Sequence, residues 1–518
     1  MRGTLRRTGV ALTLILCFGP TAFAQSECEH LGAQAVIAEK ARKPFFFRTY
    51  EKRRIAALTL AECAYRKEAD RALSAAIGDR RFARLSAEEQ RRTLSIAGLN
   101  AWRMEQYQHS LELHRRAVAT DPGDADDWFR LSILERMQGD NTAAAESLIH
   151  LIEHWPDLLD NLDDQHIFPL IFRLEPRSQV RLDLLQALYD ANWRRKGQGA
   201  SLAWYELAVM RIDRGQADAA TAAIRRVSTP IELVKLRADK RFDAIVDRDA
   251  GAFDVENAAA QEVELYRSLS EVQPDSLELS RQLSYALLTA GRTEAALTHS
   301  SQVLASIAEA PAGQAPYKNL GDEVWLMNNR AIALRRLGHL DEALLELRRA
   351  SLHTEDGGAN VSQTLNLGDF YASLGRSDEA LAAAARAGDD ISGYGRMVQV
   401  SVQLRGALQK HDADGVQRAL NYLREHRKDS QETYLDALLI AARLDEAELA
   451  LLELLASPEE RGDILEWLQA YRQAEPLPGD RTWCAGKAEL IARRRVQEAI
   501  ARVGRIERYD VYGMNEMR

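Results

Sequence analysis

The chain has 518 residues, of which 46% are hydrophobic and 28% charged, with a formal net charge of −9. That length exceeds the roughly 250–300 residues one hydrophobic core serves, so the chain must divide into domains or be built of repeats that touch only their neighbours. The acidic balance argues against nucleic acid as a partner, since phosphate-binding surfaces are basic. Only 13 prolines in an Ala-, Leu-, Arg- and Glu-rich chain point to a nearly all-helical fold.

Residues 1–24 place Arg2, Arg6 and Arg7 ahead of an apolar run from Val10 to Phe18, and Ala22-Phe23-Ala24 ahead of Gln25. This pattern predicts a signal peptide cleaved after Ala24. The run is about half the roughly 20 residues of a spanning helix, and bulky Leu16 before Cys17 argues against a lipoprotein. No later stretch is apolar enough to span a bilayer, so the mature chain is expected to have no membrane span. The expected location is the periplasm, with secretion as the alternative.

Cys28, Cys63 and Cys484 would survive cleavage. Pro44 splits the segment between Cys28 and Cys63 into two antiparallel helices and brings both thiols to the open end of the hairpin. A disulfide is expected there, with two buried thiols as the alternative. Such a bridge would be worth about 4 kcal/mol in the chain-entropy model. Cys484 has no histidine nearby in sequence to make it a nucleophile.

Residues 25–90 read as N-terminal capping helices, with a bend at Pro44-Phe45-Phe46-Phe47 and a capping box at Ser86 and Glu89. A hairpin pattern runs through 91–308. Leu94, Ala97, Gly98, Tyr107, Ala117 and Pro122 mark its first unit, and Trp128, Leu131, Gly139, Ala144 and Pro156 mark the next. Trp204, Leu207, Gly215 and Ala220 repeat the second set 76 residues on. Leu283, Gly291 and Ala296 repeat it 76 later again. Each intervening gap is expected to hold a divergent helix pair, with helices over 178–195 and 254–272.

Residues 309–320, containing EAPAGQAPY, read as a linker or a long inter-repeat loop. Residues 321–391 hold the best-formed pair of hairpins: Met327, Ala331, Leu334, Gly338, Ala343 and Ala350 mark one, and Val361 to Ala387 is the other. Residues 392–473 are degenerate repeats turning at 411–414 and 444–446. Residues 474–518 should end the array at AEPLPGD, form a basic helix over 486–505 and finish in a frayed tail.

In the hairpin Val361 to Ala387, Leu367-Gly368, Tyr371, Gly375, Ala380 and Ala387 occupy positions seven, eight, eleven, fifteen, twenty and twenty-seven, with Thr364 departing from a large residue at four. This pattern resembles the tetratricopeptide repeat. The resemblance implies an all-α solenoid of helix hairpins, a right-handed superhelix, and a non-enzymatic scaffold that binds a protein or extended peptide in its concave groove. No cofactor is implied, and the oligomeric state is left open.

In the family the groove is lined by the first helix of each hairpin, which points to Asn329 and Asn366 at position six of successive units. Asn328, Arg335, Arg336 and Asp369 would share that wall. An asparagine can pair with a peptide N–H and C=O together, so a ladder of them could hold an extended chain. Asn is also common at position six with purely local hydrogen bonds. The family's site for a C-terminal carboxylate is not implied, because Ser95, Ile96 and Leu99 do not supply its Lys and Asn.

The alternative is a zinc hydrolase. His150-Leu151-Ile152-Glu153-His154 matches the H-x-x-E-H of inverted zinc peptidases, with Glu232 available as a third ligand. Its place at the end of a repeat's second helix argues for solvated helix-end histidines instead. Trp128, Trp204 and Tyr371 fall at repeat-core positions. There is no Gly-rich phosphate loop, no G-x-S-x-G elbow and no C-x-x-C pair.

Overall fold

Helix hairpins closed by the same turn recur along the chain. In the computed structural model, which describes residues 49–161, 164–194, 199–311, 313–355 and 358–513, Gly139, Gly215, Gly291, Gly338 and Gly375 all have positive φ where a first helix ends. The following N–H then reaches back into the last turn: Asp140 donates to Glu135 O at 3.0 Å, His339 to Leu334 O at 2.9 Å and Arg376 to Tyr371 O at 2.8 Å. This is the Schellman bond, which satisfies a carbonyl that the ending helix would leave unpaired. Glu105, His411 and Ala442 take the same left-handed turn without being glycine.

The chain divides into two compact units, Met1–Arg211 and Ile212–Arg518. In the first, α1 (Tyr50–Glu62) and α2 (Arg66–Ile77) form a hairpin, followed by α3 (Ala87–Arg103) and α4 (Tyr107–Thr120), then α5 (Ala125–Met137) and α6 (Asn141–His154). The capping box at α3 is present, with the Glu89 N–H donating to Ser86 Oγ and the Ser86 N–H to the Glu89 carboxylate. Leu60, Leu73, Leu94 and Leu113 join α1 to α4 in one core. The first gap holds α7 (Asp164–Arg173) and α8 (Gln179–Asp190), and α9 (Ser201–Asp213) follows. Cys63 is disulfide-bonded. Cys28, Pro44 and the leader lie outside the described residues.

The second unit opens with α10 (Ala217–Ile224), α11 (Pro230–Ala238) and α12 (Val255–Val272), so the second gap also holds a helix pair. Next come α13 (Leu277–Thr289) with α14 (Thr293–Ala308), α15 (Glu323–Arg336) with α16 (Leu340–Ala350), and α17 (Val361–Ser373) with α18 (Ser377–Arg386). The strands β1 (Thr354–Glu355) and β2 (Gly358–Ala359) pair antiparallel between α16 and α17. Two further hairpins are α19 (Gly393–Gln409) with α20 (Ala413–Glu425) and α21 (Gln431–Ile440) with α22 (Leu444–Ala456). The Pro- and Gly-rich stretch near 309–317, described on either side of residue 312, lies between α14 and α15 inside this unit. It is anchored where Lys318 N–H donates to Asp275 O at 2.7 Å.

The C-terminal region departs from expectation. After α23 (Arg461–Trp467) and β3 (Ala470–Arg472), the single basic helix is two, α24 (Arg481–Ala492) and α25 (Arg494–Val503). Extended Arg493 separates them, so that Leu490, Val496, Ala499 and Ile500 can all be buried against the last repeats. The tail forms β4 (Arg508–Tyr512), parallel to β3. It does not fray as far as it is described, because Tyr509 and Val511 are buried. Among the described residues no helix is long and apolar enough to cross a membrane.

Candidate functional site

First helices of successive hairpins lie side by side in the second unit, and what covers them differs between their two ends. Their C-terminal ends lie under the chain's own residues 473–480. Arg335 donates to Glu475 O at 2.5 Å, Gly479 N–H to Ser373 O at 2.8 Å, and Arg405 bridges Asp369 and Asp480, each at 2.5 Å. Gly479 has to be glycine, since a Cβ there would lie 2.1 Å from Ala372 O. Beside this strap the Arg336 guanidinium sits 3.5 Å from the centre of the Tyr512 ring, a cation–π contact, and also donates to Leu288 O.

The N-terminal halves of α15, α17, α19 and α21 leave a cleft of about 820 Å³. Trp325 and Tyr394, 41% and 62% exposed, present their rings there. Asn328, Asn366 and Asp369 line it with Asp390, Glu432 and Asp436. Asn366 Nδ2 donates to Asn328 Oδ1 at 3.0 Å, which fixes both amides side by side. The Asn pair is therefore Asn328 with Asn366. Asn329, at position six, is buried and donates to Arg281 O in α13 at 3.2 Å.

The six groove residues read from the sequence thus part company. Asn328, Asn366 and Asp369 meet in the cleft, whereas Asn329 is spent between helices and Arg335 and Arg336 lie against the C-terminal region. For the buried, strap-facing Arg335, burial pulls the guanidinium below its ordinary range, ahead of the opposing charge of Asp480. Sequence reasoning missed Trp325, Tyr394, Asp390 and Glu432. The available signal was a Trp and a Tyr in the first turns of first helices, off the repeat-core positions.

The H-x-x-E-H histidines do not assemble as ligands. His150 and His154 stack with ring centroids 4.0 Å apart and planes 23° from parallel, and His150 also lies 3.9 Å from the Trp128 ring. Stacked imidazoles do not turn nitrogens toward one point, as two ligands of a tetrahedral zinc must. Burial, and then the His154 charge, push the His150 imidazole below its usual range. In the second unit, Glu232 accepts a hydrogen bond from Thr229. Among the described residues no three His, Cys, Asp or Glu side chains gather in a metal-binding group.

No protein-family model matches the chain, and no curated protein does. Solved structures similar to it include a tetratricopeptide repeat protein from Parabacteroides merdae ATCC 43184, at 11% identity over 62% of this chain and 98% of that one, with a TM-score of 0.31. Yeast Tom70 is similar at 10% identity, over 88% and 100%, with a TM-score of 0.31. The APC/C hetero-tetramer Cut9-Hcn1 is similar at 11% identity, over 93% and 98%, with a TM-score of 0.29.

Proposed function

We propose that this chain is an exported, non-enzymatic scaffold that holds an extended segment of another protein in the cleft between α15, α17, α19 and α21. The observation that carries the reading is the cleft itself. Large aromatic rings, exposed in the free chain, flank an asparagine pair that still offers a donor and an acceptor. Trp and Tyr are the residues that most often anchor protein interfaces, because each buries a large area for few rotatable bonds. The walls are helices packed on both sides, so little order has to be imposed when a partner binds.

Export rests on the leader pattern of residues 1–24, and the disulfide at Cys63 agrees with an oxidising compartment. We assign Cys28 as its partner.

The test uses the mature chain as bait in an envelope extract, beside a Trp325→Ala, Tyr394→Ala double variant. The wild-type chain is expected to retain a partner that the variant loses, with unchanged thermal unfolding. Equal retention by both would remove the cleft from the function. N-terminal sequencing of the protein made in cells should begin at Gln25.

A further inference from the structure

Resting on that reading, we infer that the segment held in the cleft is cationic, presenting a lysine or arginine side chain to the acidic wall between Trp325 and Tyr394. Four carboxylates line the cleft, those of Asp369, Asp390, Glu432 and Asp436, and among the described residues no lysine or arginine does. Asp369 and Asp436 are held from beneath the wall: Asp369 is bridged by Arg405, and Asp436 accepts the indole N–H of Trp483 at 2.6 Å. Asp390 and Glu432 are exposed at the rim, one on the loop before α19 and one at the start of α21.

A second observation is independent of charge. Asn328 is 7% exposed, and its only side-chain hydrogen bond among the described residues uses Oδ1 as acceptor. Its Nδ2 donor lines the cleft unspent, and the bond from Asn366 likewise leaves Asn366 Oδ1 available. A donor and an acceptor held side by side at the cleft surface match the carbonyl and N–H that an extended backbone presents.

The side chain that suits the rest of the surface is set by sign and by the rings. A cation over an exposed Trp or Tyr face gains cation–π attraction, more so where carboxylates flank it in a partly dehydrated cleft. A carboxylate there would meet the like charge of Asp390 and Glu432 at the rim. The long aliphatic stems of Lys and Arg also cover apolar surface, here Val361, Leu365 and Val398.

The experiment measures fluorescence anisotropy of labelled extended peptides with the full mature chain, identical except for lysine, arginine, glutamine or glutamate at two central positions. Lysine or arginine peptides are expected to bind at least roughly tenfold more tightly than glutamine peptides. An Asp390→Asn, Glu432→Gln variant should erase that preference, bringing lysine and glutamine peptides to the same affinity. Equal affinity for glutamine and lysine peptides, lost in the Trp325→Ala, Tyr394→Ala variant, would overturn the cationic inference and leave the scaffold reading standing. Binding of no peptide, or binding of all of them undiminished by the loss of both rings, would overturn both.

Discussion

Arg405 and Asp480 form an ion pair between residues 75 apart in sequence, Nη2 to Oδ1 at 2.5 Å, with 2% and 1% of their side chains exposed. Asp369 takes the other guanidinium nitrogen, and Ser373 Oγ donates to Asp480 Oδ1 at 2.9 Å. This cluster fastens residues 473–480 across the repeats. Removing one partner of a buried pair leaves the other charge uncompensated and costs about 3–5 kcal/mol. Arg405→Met should therefore lower stability by that order and open residues 474–480 to limited proteolysis. Unchanged melting and unchanged protection would show that the strap does not depend on this pair.

Gly479 makes a second, independent prediction about the strap. A methyl group at this position would collide with the Ala372 backbone, which no rotamer change can relieve. Gly479→Ala should destabilise the second unit by about 1–3 kcal/mol and accelerate amide exchange at Gly479, whose N–H donates to Ser373 O. Wild-type exchange at that amide would contradict the contact.

Ala442 carries φ of 54° where better-formed hairpins carry glycine. A Cβ in the left-handed region costs roughly 1–2 kcal/mol, offset by about 0.5–1 kcal/mol because alanine restricts the unfolded chain. Ala442→Gly should thus stabilise the protein slightly, by up to about 1 kcal/mol, and Gly375→Ala should destabilise it. Urea midpoints at unchanged slope are the measurement; a fall in midpoint for Ala442→Gly would refute the argument.

His166 makes stability depend on pH. Ser132 Oγ gives its proton to Ala144 O at 2.8 Å, so His166 Nε2 must be the donor to Ser132 Oγ, while Arg136 Nε donates to His166 Nδ1 at 3.0 Å. Only the neutral imidazole fits both bonds. Burial, and then the Arg136 charge, lower its pKa to about 3. The unfolded chain takes up a proton near pH 6.5 and the folded chain does not. This contribution is complete above that pH and is lost as pH falls toward 3, by up to about 1.4 kcal/mol per unit. His166→Gln should flatten that slope in denaturation curves between pH 6 and 4.

The hairpins were legible because their signals are local. Gly375 marks a turn through its own backbone freedom, and Gly368 lies in the helix packing, where an added Cβ would sit 3.1 Å from Val402. The turn involves adjacent helices and recurs from hairpin to hairpin, so it survives even where Glu105, His411 and Ala442 replace the glycine. The cleft was half legible. Counting along the helix placed Asn328, Asn366 and Asp369 together, and all three line the cleft, but it put Asn329 there as well, and a one-residue difference separates Asn328 from Asn329, which faces α13. At 100° per residue, neighbours on one helix look in different directions.

Composition and repeat spacing alone determined that the chain is helical, repetitive and turned at set positions. Which part of the inner face stays open was decided by tertiary structure. Arg335 reads as a groove residue and Arg405 as an ordinary helix position until a segment 140 and 75 residues downstream lies across them, and Arg336 reads as a groove residue until the Tyr512 ring packs on it. Burial of α24 and α25 brings that segment back, and Arg237 pairs with Glu507 over 270 residues. Contacts at such separations depend on how many hairpins stack between the partners and on what packs at the end of the array. No local pattern encodes that count.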